Sequence, residues 1–228
     1  MAGILREIYP ETEICFLGRS YTEAIVSRCT HITRFLNWDE LSSENDPFTK
    51  CDIDAIIHVF PDRKIAARAK QAGVKLRIGT SHRFFHWLTC NQRVSFSRKN
   101  SPLHESQLNL KLLTPFGYKE VPELSTLTNL AGWSGSGADK KGILPVNDKF
   151  NLIIHMKSRG SALEWPLHKY LSVIESVENC NIILTGTKDE GELVDQILPD
   201  IRKHPAVTDT FGRLSLNELI DLIGTSDG

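Results

Sequence analysis

The stretch DAIIHVFPDRKIAARAKQAGVKLRIG, residues 54–79, decides the fold. Asp54 to Phe60 reads as a buried strand, RKIAARAKQAG as a helix closed by Gly73, and Lys75 to Gly79 as the next strand. Strand, helix and strand in that order describe a parallel α/β unit. Working outward, ICFLG (Ile14 to Gly18) reads as an earlier strand and SYTEAIVSRC as its helix. SPLHESQLNLKLLTPFG reads as a later helix opening at Ser101-Pro102, with Leu108, Leu110, Leu112 and Leu113 as its apolar contacts.

From about Leu124 to Asp148 the pattern dissolves into a Gly-, Ser-, Lys- and Asp-rich stretch, the composition of an interdomain linker. The boundary is placed near residue 145, giving domains 1–144 and 145–228. The alternation then restarts with a strand at 151–156, a helix at 166–177, a strand at 181–186 and a helix at 188–198. A short strand near AVTDTF and the helix SLNELIDLIG follow, with Ser215 and Glu218 at capping-box spacing. The fold class is α/β. The chain opens on an amphipathic helix with no strand before it and stops after a helix, so both domains are expected to be incomplete at their outer ends.

Composition narrows the function. With 40% apolar and 24% charged residues the chain is globular, and a net charge of -1 speaks against broad phosphate neutralisation, hence against a nucleic-acid partner. Any anion site must be local. Five scattered cysteines without a CxxC pair suit reduced thiols in the cytoplasm. The sequence holds no membrane-spanning apolar run and no signal-peptide layout.

Ligands of open α/β sheets gather at the carboxyl ends of strands. The loop HMKSRGSALEWP, residues 155–166, lies at such an end. The first amides of the following helix lack acceptors and carry the positive end of its dipole, and Ser158 and Ser161 add hydroxyl donors. Gly160 permits close backbone approach, Arg159 is suited to a diphosphate, and Pro166 fits the first helical position. An ordinary βα turn with a stray arginine has the same spacing. In the next turn, LTGTKDEGEL, Thr185, Gly186 and Thr187 are candidates for nucleotide contacts and Glu190 for ribose hydroxyls; Asp189 and Glu190 are equally readable as acids offsetting the helix dipole. The segment from Ser81 to Glu105 concentrates Arg83, Arg93, Arg98 and Lys99 with His82, His86 and His104, either an anion-receiving loop or a solvated one with Phe84, Phe85 and Trp87 packed inward. Its histidines form no zinc pattern, and no metal site is expected.

The ordered run IIHMKSRGSALEWPLHKYLSVIE, NIILTGTKDEGEL and DTFGRLSLNELIDLI resembles the donor-binding half of glycosyltransferase family 9, the lipopolysaccharide heptosyltransferases. DAIIHVFPDRKIAARAKQAGVKLRIGTSHR and LHESQLNLKLL are similar to segments of its first half. The resemblance implies a bacterial enzyme of GT-B type, two Rossmann-like doubly wound domains, working without cofactor or metal. The C-terminal half would bind a nucleotide-diphospho-sugar, typically ADP-heptose, and the N-terminal half a lipid A-core oligosaccharide, with peripheral contact to the inner membrane.

Carried over by position, Ser158, Arg159, Gly160 and Ser161 would meet the diphosphate, and Gly186, Thr187 and Glu190 the nucleoside. Arg83, Arg98, Lys99 and His104 would face phosphates or carboxylates of the acceptor. Where the family often has a lysine just before Trp-Pro, this chain has Leu163-Glu164, leaving Lys157 or Arg159 to supply leaving-group charge. The family's catalytic aspartate is expected ahead of Met1, and a further donor-gripping loop beyond Gly228. An inactive module retaining the fold is the alternative. A nucleotide-binding oxidoreductase is disfavoured because no G-x-G-x-x-G turn follows any strand.

Overall fold

The structure, a computed structural model, describes residues 1–44, 47–134, 142–158 and 160–228. It divides into two compact units, Met1–Trp133 and Ser134–Gly228.

The first unit contains α1 (Ala2–Ile8), β1 (Cys15–Gly18), α2 (Glu23–Val26), β2 (Arg34–Asn37), α3 (Trp38–Leu41), β3 (Ala55–Ile57) and α4 (Arg63–Gln71). It continues through β4 (Leu76–Thr80), α5 (Phe84–Thr89), β5 (Gln92–Val94), α6 (Glu105–Leu110) and α7 (Leu124–Asn129). Its strands form two parallel sheets, β1–β2 and β3–β4–β5. The unit at 54–79 is the predicted strand, helix and strand. Asp62 caps α4 by accepting from the Ile65 amide at 2.9 Å, and Ala66 and Ala69 form the helix's fully buried stripe. Ile78 of β4 lies at the centre of a cluster with Phe96, Leu108 and Leu112.

Several elements differ from the sequence reading. The helix expected over SYTEAIVSRC is a 3₁₀ turn, Ser20–Thr22, followed by the four-residue α2, where only Val26 is buried. The strand expected over 54–60 stops at Ile57, because the chain turns as the Val59 amide reaches back to the Ile57 carbonyl at 3.1 Å. The later helix opens at His104, not Ser101-Pro102, and changes to a 3₁₀ segment over Lys111–Phe116 that accommodates Pro115. β2 and β5, each only three or four residues long, were not anticipated.

The second unit contains β6 (Phe150–His155), α8 (Leu167–Ser176), β7 (Cys180–Thr185), α9 (Lys188–Ile197), β8 (Val207–Asp209) and α10 (Leu216–Thr225). All pairs are parallel in the order β6–β7–β8. Central β7 is covered on both faces, with Ile182, Ile183 and Leu184 fully buried, which accounts for its unbroken apolar run. The division into units falls upstream of residue 145. Asn147 and Asn181 exchange side-chain hydrogen bonds of 3.3 and 2.9 Å, tying the strand's lead-in to β7 and hence to the second unit. The expected capping box starts α10: the Ser215 amide donates to Glu218 Oε2 at 2.7 Å and the Glu218 amide to Ser215 Oγ at 3.3 Å. Pro166 sits one position earlier than expected, at the N-cap of α8 with extended backbone.

Candidate functional site

β6 and β7 end in register, His155 beside Thr185, and His155 Nδ1 lies 3.1 Å from Thr185 Oγ1. The two predicted donor loops therefore leave one sheet edge side by side, as parallel neighbours must.

The first loop closes on itself. The Ser158 amide donates to Glu164 Oε1 at 2.8 Å, the Ser158 hydroxyl reaches the same oxygen at 3.2 Å, and Lys157 Nζ pairs with Glu164 Oε2. The Ser161 hydroxyl and amide both donate to the Ser158 carbonyl, at 2.8 and 3.1 Å. Gly160 has φ +78°, the left-handed region that favours glycine, with open space where a Cβ would stand. Arg159 lies outside the described residues. The Lys157 ammonium and the Ser158 amide together hold the Glu164 carboxyl down to about 2. Glu164 is thus an internal anion seated on donors that sequence reasoning assigns to a diphosphate. Its departure from the family's usual lysine was the available signal; its contacts were not readable from spacing.

In the second loop Thr187 is the N-cap of α9. Its amide donates to Glu190 Oε2 at 2.7 Å and the Glu190 amide to Thr187 Oγ1 at 3.4 Å, so one carboxylate oxygen serves the capping box. Gly186 meets the ring of Phe211: a Cβ there would lie 2.7 Å from Phe211 Cε1. Gly191, inside α9, would place a Cβ 2.7 Å from Phe211 Cβ. Arg202 lies over the other side of this arrangement, its Cζ 5.3 Å from the Phe211 ring and its Nη1 2.6 Å from Asp209 Oδ2. Phe211, which follows β8, was missed as a residue shaping this turn, since an aromatic after a short strand carries no distinctive spacing.

On the other unit, Arg83 is exposed at the start of α5, while Arg98 and Lys99 follow β5, the strand paired with β4. Arg98 Nε donates to both Glu105 oxygens at 2.8 and 3.0 Å and its Nη2 to Asn109 at 2.9 Å. His104 is the N-cap of α6, its Nδ1 accepting from the Ser106 amide at 3.2 Å. Two of the four expected acceptor residues thus hold helix α6 in place. Phe84 and Trp87 do not pack inward: they are 80% and 58% exposed, and it is His86 that α5 buries completely.

His86 faces His58, with ring centroids 5.4 Å apart, and the Nε2 atoms of both are buried without a hydrogen-bond partner among the described residues. Burial, then the neighbouring His86, lowers the His58 pKa to about 4. A cavity of about 310 Å³ lined by Val94, Lys111, Tyr118 and Glu120 contains none of the predicted donor residues. Among the described residues no cluster of three or more His, Cys, Asp or Glu is placed to hold a metal ion, and no helix is long and apolar enough to cross a membrane.

Residues 49–228 match the family model of Glycosyltransferase family 9 (heptosyltransferase), and the chain belongs to that family. It is a glycosyltransferase, heptosyltransferase-like in fold. The structure of E. coli ADP-heptose lps heptosyltransferase II superposes with a TM-score of 0.70 at 14% identity, covering 97% of this chain and 70% of that one. The glycosyl transferase family 9 protein from Veillonella parvula DSM 2008 gives 0.70 at 13% identity, with 98% and 67% covered. E. coli heptosyltransferase WaaC with ADP gives 0.66 at 12% identity, with 97% and 72% covered. At such identities the likeness establishes the fold, which is α/β of GT-B type. Among curated proteins no match to the sequence was found.

Proposed function

We propose that the chain serves an inverting transfer of heptose, or a related sugar, from a nucleotide-diphospho-sugar such as ADP-heptose to the lipopolysaccharide inner core. The observation that supports the reading is the register of the two strand ends, His155 against Thr185, from which the loops carrying Ser158, Gly160 and Ser161 and carrying Gly186, Thr187 and Glu190 depart. In the transfer, a carboxylate removes the proton of an acceptor hydroxyl, whose oxygen attacks the anomeric carbon. The bond to the diphosphate breaks and the nucleoside diphosphate departs with its electron pair. Loop amides, the α8 dipole, Lys157 and Arg159 meet the charge it gains, so the step runs without a metal. The base is assigned to no residue of this chain. Arg83 and Lys99 are the acceptor-side cations left by this reading, since Arg98 and His104 are engaged with α6. The setting is the cytoplasm, supported by five free cysteines.

Glu164 favours a second reading, a module that keeps the fold without transferring sugar, because its carboxylate occupies the loop's donors. Calorimetric titration of ADP, with UDP and GDP as controls, separates the two. Saturable ADP-selective binding, weakened by about 1.5–3 kcal/mol in Arg159→Ala, supports the donor site. A folded chain that binds none of the three supports the module. Addition of EDTA tests the metal-free step and leaves transfer unchanged.

A further inference from the structure

The edge strand β5 pairs only with β4, and the cavity of about 310 Å³ lies where β5 ends, between it and the chain that follows α6. One wall of this cavity is a segment fixed at both ends. After the 3₁₀ segment Lys111–Phe116 the chain reverses at Gly117, whose φ of +86° is the left-handed conformation that favours glycine. Tyr118 anchors the returning segment by packing against the buried cluster of Ile4, Leu110 and Leu113. Further on, the Pro122 carbonyl accepts from Gln107 Nε2 at 2.9 Å, and the same glutamine's Oε1 accepts from the His104 amide at 2.9 Å in the cap of α6. Lys119 and Glu120 lie between the two anchors and line the cavity with Tyr118, with Ser95 just past β5, and with Leu110 and Lys111.

The chemistry of this lining is unspent. Among the described residues the Lys111 and Lys119 ammonium groups have no ion-pair partner, and the Ser95 and Tyr118 hydroxyls have no hydrogen-bond partner. Burial, then the carboxylates of Glu120 and Glu7, push the Tyr118 phenol above its ordinary value, so it stays a proton donor. Two cations call for an anion. Glu120 beside them would repel a bare anion but accept from O–H groups, so the fitting ligand carries hydroxyls as well as charge. Leu110 adds apolar surface for the carbon skeleton of such a ligand. The volume lies at the small end of the range of about 300–1,000 Å³ for ligand pockets, room for one sugar ring and its phosphate but not for a nucleotide-sugar.

We propose that this cavity is a second ligand site of the chain, taking a free phosphorylated monosaccharide, with Lys111 and Lys119 on the phosphate, Glu120 accepting from sugar hydroxyls and Tyr118 donating to a sugar oxygen. None of the residues read for the donor or the acceptor lines it, so the assignment does not rest on the transfer reading.

The test is calorimetric titration of the whole chain with glucose 6-phosphate as the probe, with glucose and inorganic phosphate as comparisons, and with excess ADP in a parallel series. Saturable binding of glucose 6-phosphate is expected, with inorganic phosphate about fivefold weaker, glucose not bound, and ADP without effect. Lys111→Gln/Lys119→Gln should weaken glucose 6-phosphate about tenfold or more, and Tyr118→Phe about threefold. Glu120→Gln separates the two ends of the ligand: the sugar phosphate should bind about threefold more weakly and inorganic phosphate more tightly. Lys119 is exposed, so Lys119→Gln alone should still cost about threefold if the double variant fails to fold. No saturable binding of glucose 6-phosphate, unchanged affinity in folded lysine variants, equal affinity for phosphate and its sugar ester, or displacement by ADP would each overturn the proposal. A chain that binds the sugar phosphate but no ADP loses the donor reading and keeps this one.

Discussion

The carboxyl end of β6–β7 and the carboxyl end of β3–β4 share one architecture and make opposite uses of it. At β6–β7 the polar groups satisfy one another: Glu164 takes Lys157 and Ser158, Glu190 takes Thr187, and Phe211 is tucked between two glycines. At β3–β4 two imidazoles are buried with nitrogens that have no partner among the described residues, while Phe84 and Trp87 stand in solvent. Parallel α/β topology decides where loops emerge, and the residue types in each loop decide whether the emerging groups are satisfied within the chain or left for something outside it.

Acid should break the two ends apart. His58, held near 4 in the fold against an ordinary 6.5, is neutral when buried. The unfolded state binds the extra proton first, so stability is whole above about pH 6.5 and drains away toward pH 4, by about 3 kcal/mol. His86 is lowered by burial as well and acts in the same direction. Glu164 is lowered too, but from the ordinary carboxylate value of 4.5, so its contribution is whole above about pH 4.5 and is lost as pH falls toward about 2. Denaturant melts between these limits check the separation: His58→Phe should flatten the upper slope and Glu164→Gln should not. A slope unchanged in His58→Phe would remove the histidine from the account. The groups facing His58 are His86, Asp62 and Arg77, and only Asp62 opposes the shift.

A smaller effect is expected at the second loop. Gly191→Ala removes a helix glycine, worth about 1 kcal/mol, but drives a methyl against Phe211 and Arg202, so a net loss of about 2 kcal/mol should appear in a thermal melt. A gain instead would mean that α9 can shift outward.

Smallest is Glu164→Gln. Releasing Lys157 from its internal anion should tighten ADP binding about fivefold by calorimetry, roughly 1 kcal/mol. Weaker binding would mean that the carboxylate holds the loop in its working shape.

Most of this molecule was legible where local signals agreed. The β3–α4–β4 unit is announced by Asp62 before an amphipathic run, and α10 by Ser215 and Glu218. The neighbouring of the two donor loops followed from strand order. What escaped was set by contacts remote in sequence. β2 is a four-residue strand completed by β1, and the burial of His86 ahead of Phe84 depends on β4, where Gly79 leaves room for the imidazole. The internal closure of the loop by Glu164 arises from side-chain reach across six residues, which no pattern of residue types encodes.

The packing around Phe211 also has a bearing on how this sequence can drift. Gly186 is opposed by the ring, through Cε1 and Cδ1, and by Glu190 Oε2 at 3.1 Å, and its φ of +158° favours glycine in any case, so a small residue at 211 lifts only part of the constraint. Gly191 is opposed by Cβ itself, an atom that every residue but glycine brings. One glycine is therefore held by its own backbone and by the capping carboxylate as well as by its partner, and should stay glycine even where residue 211 becomes small. The other is hostage to backbone spacing and should stay fixed whatever its partner becomes.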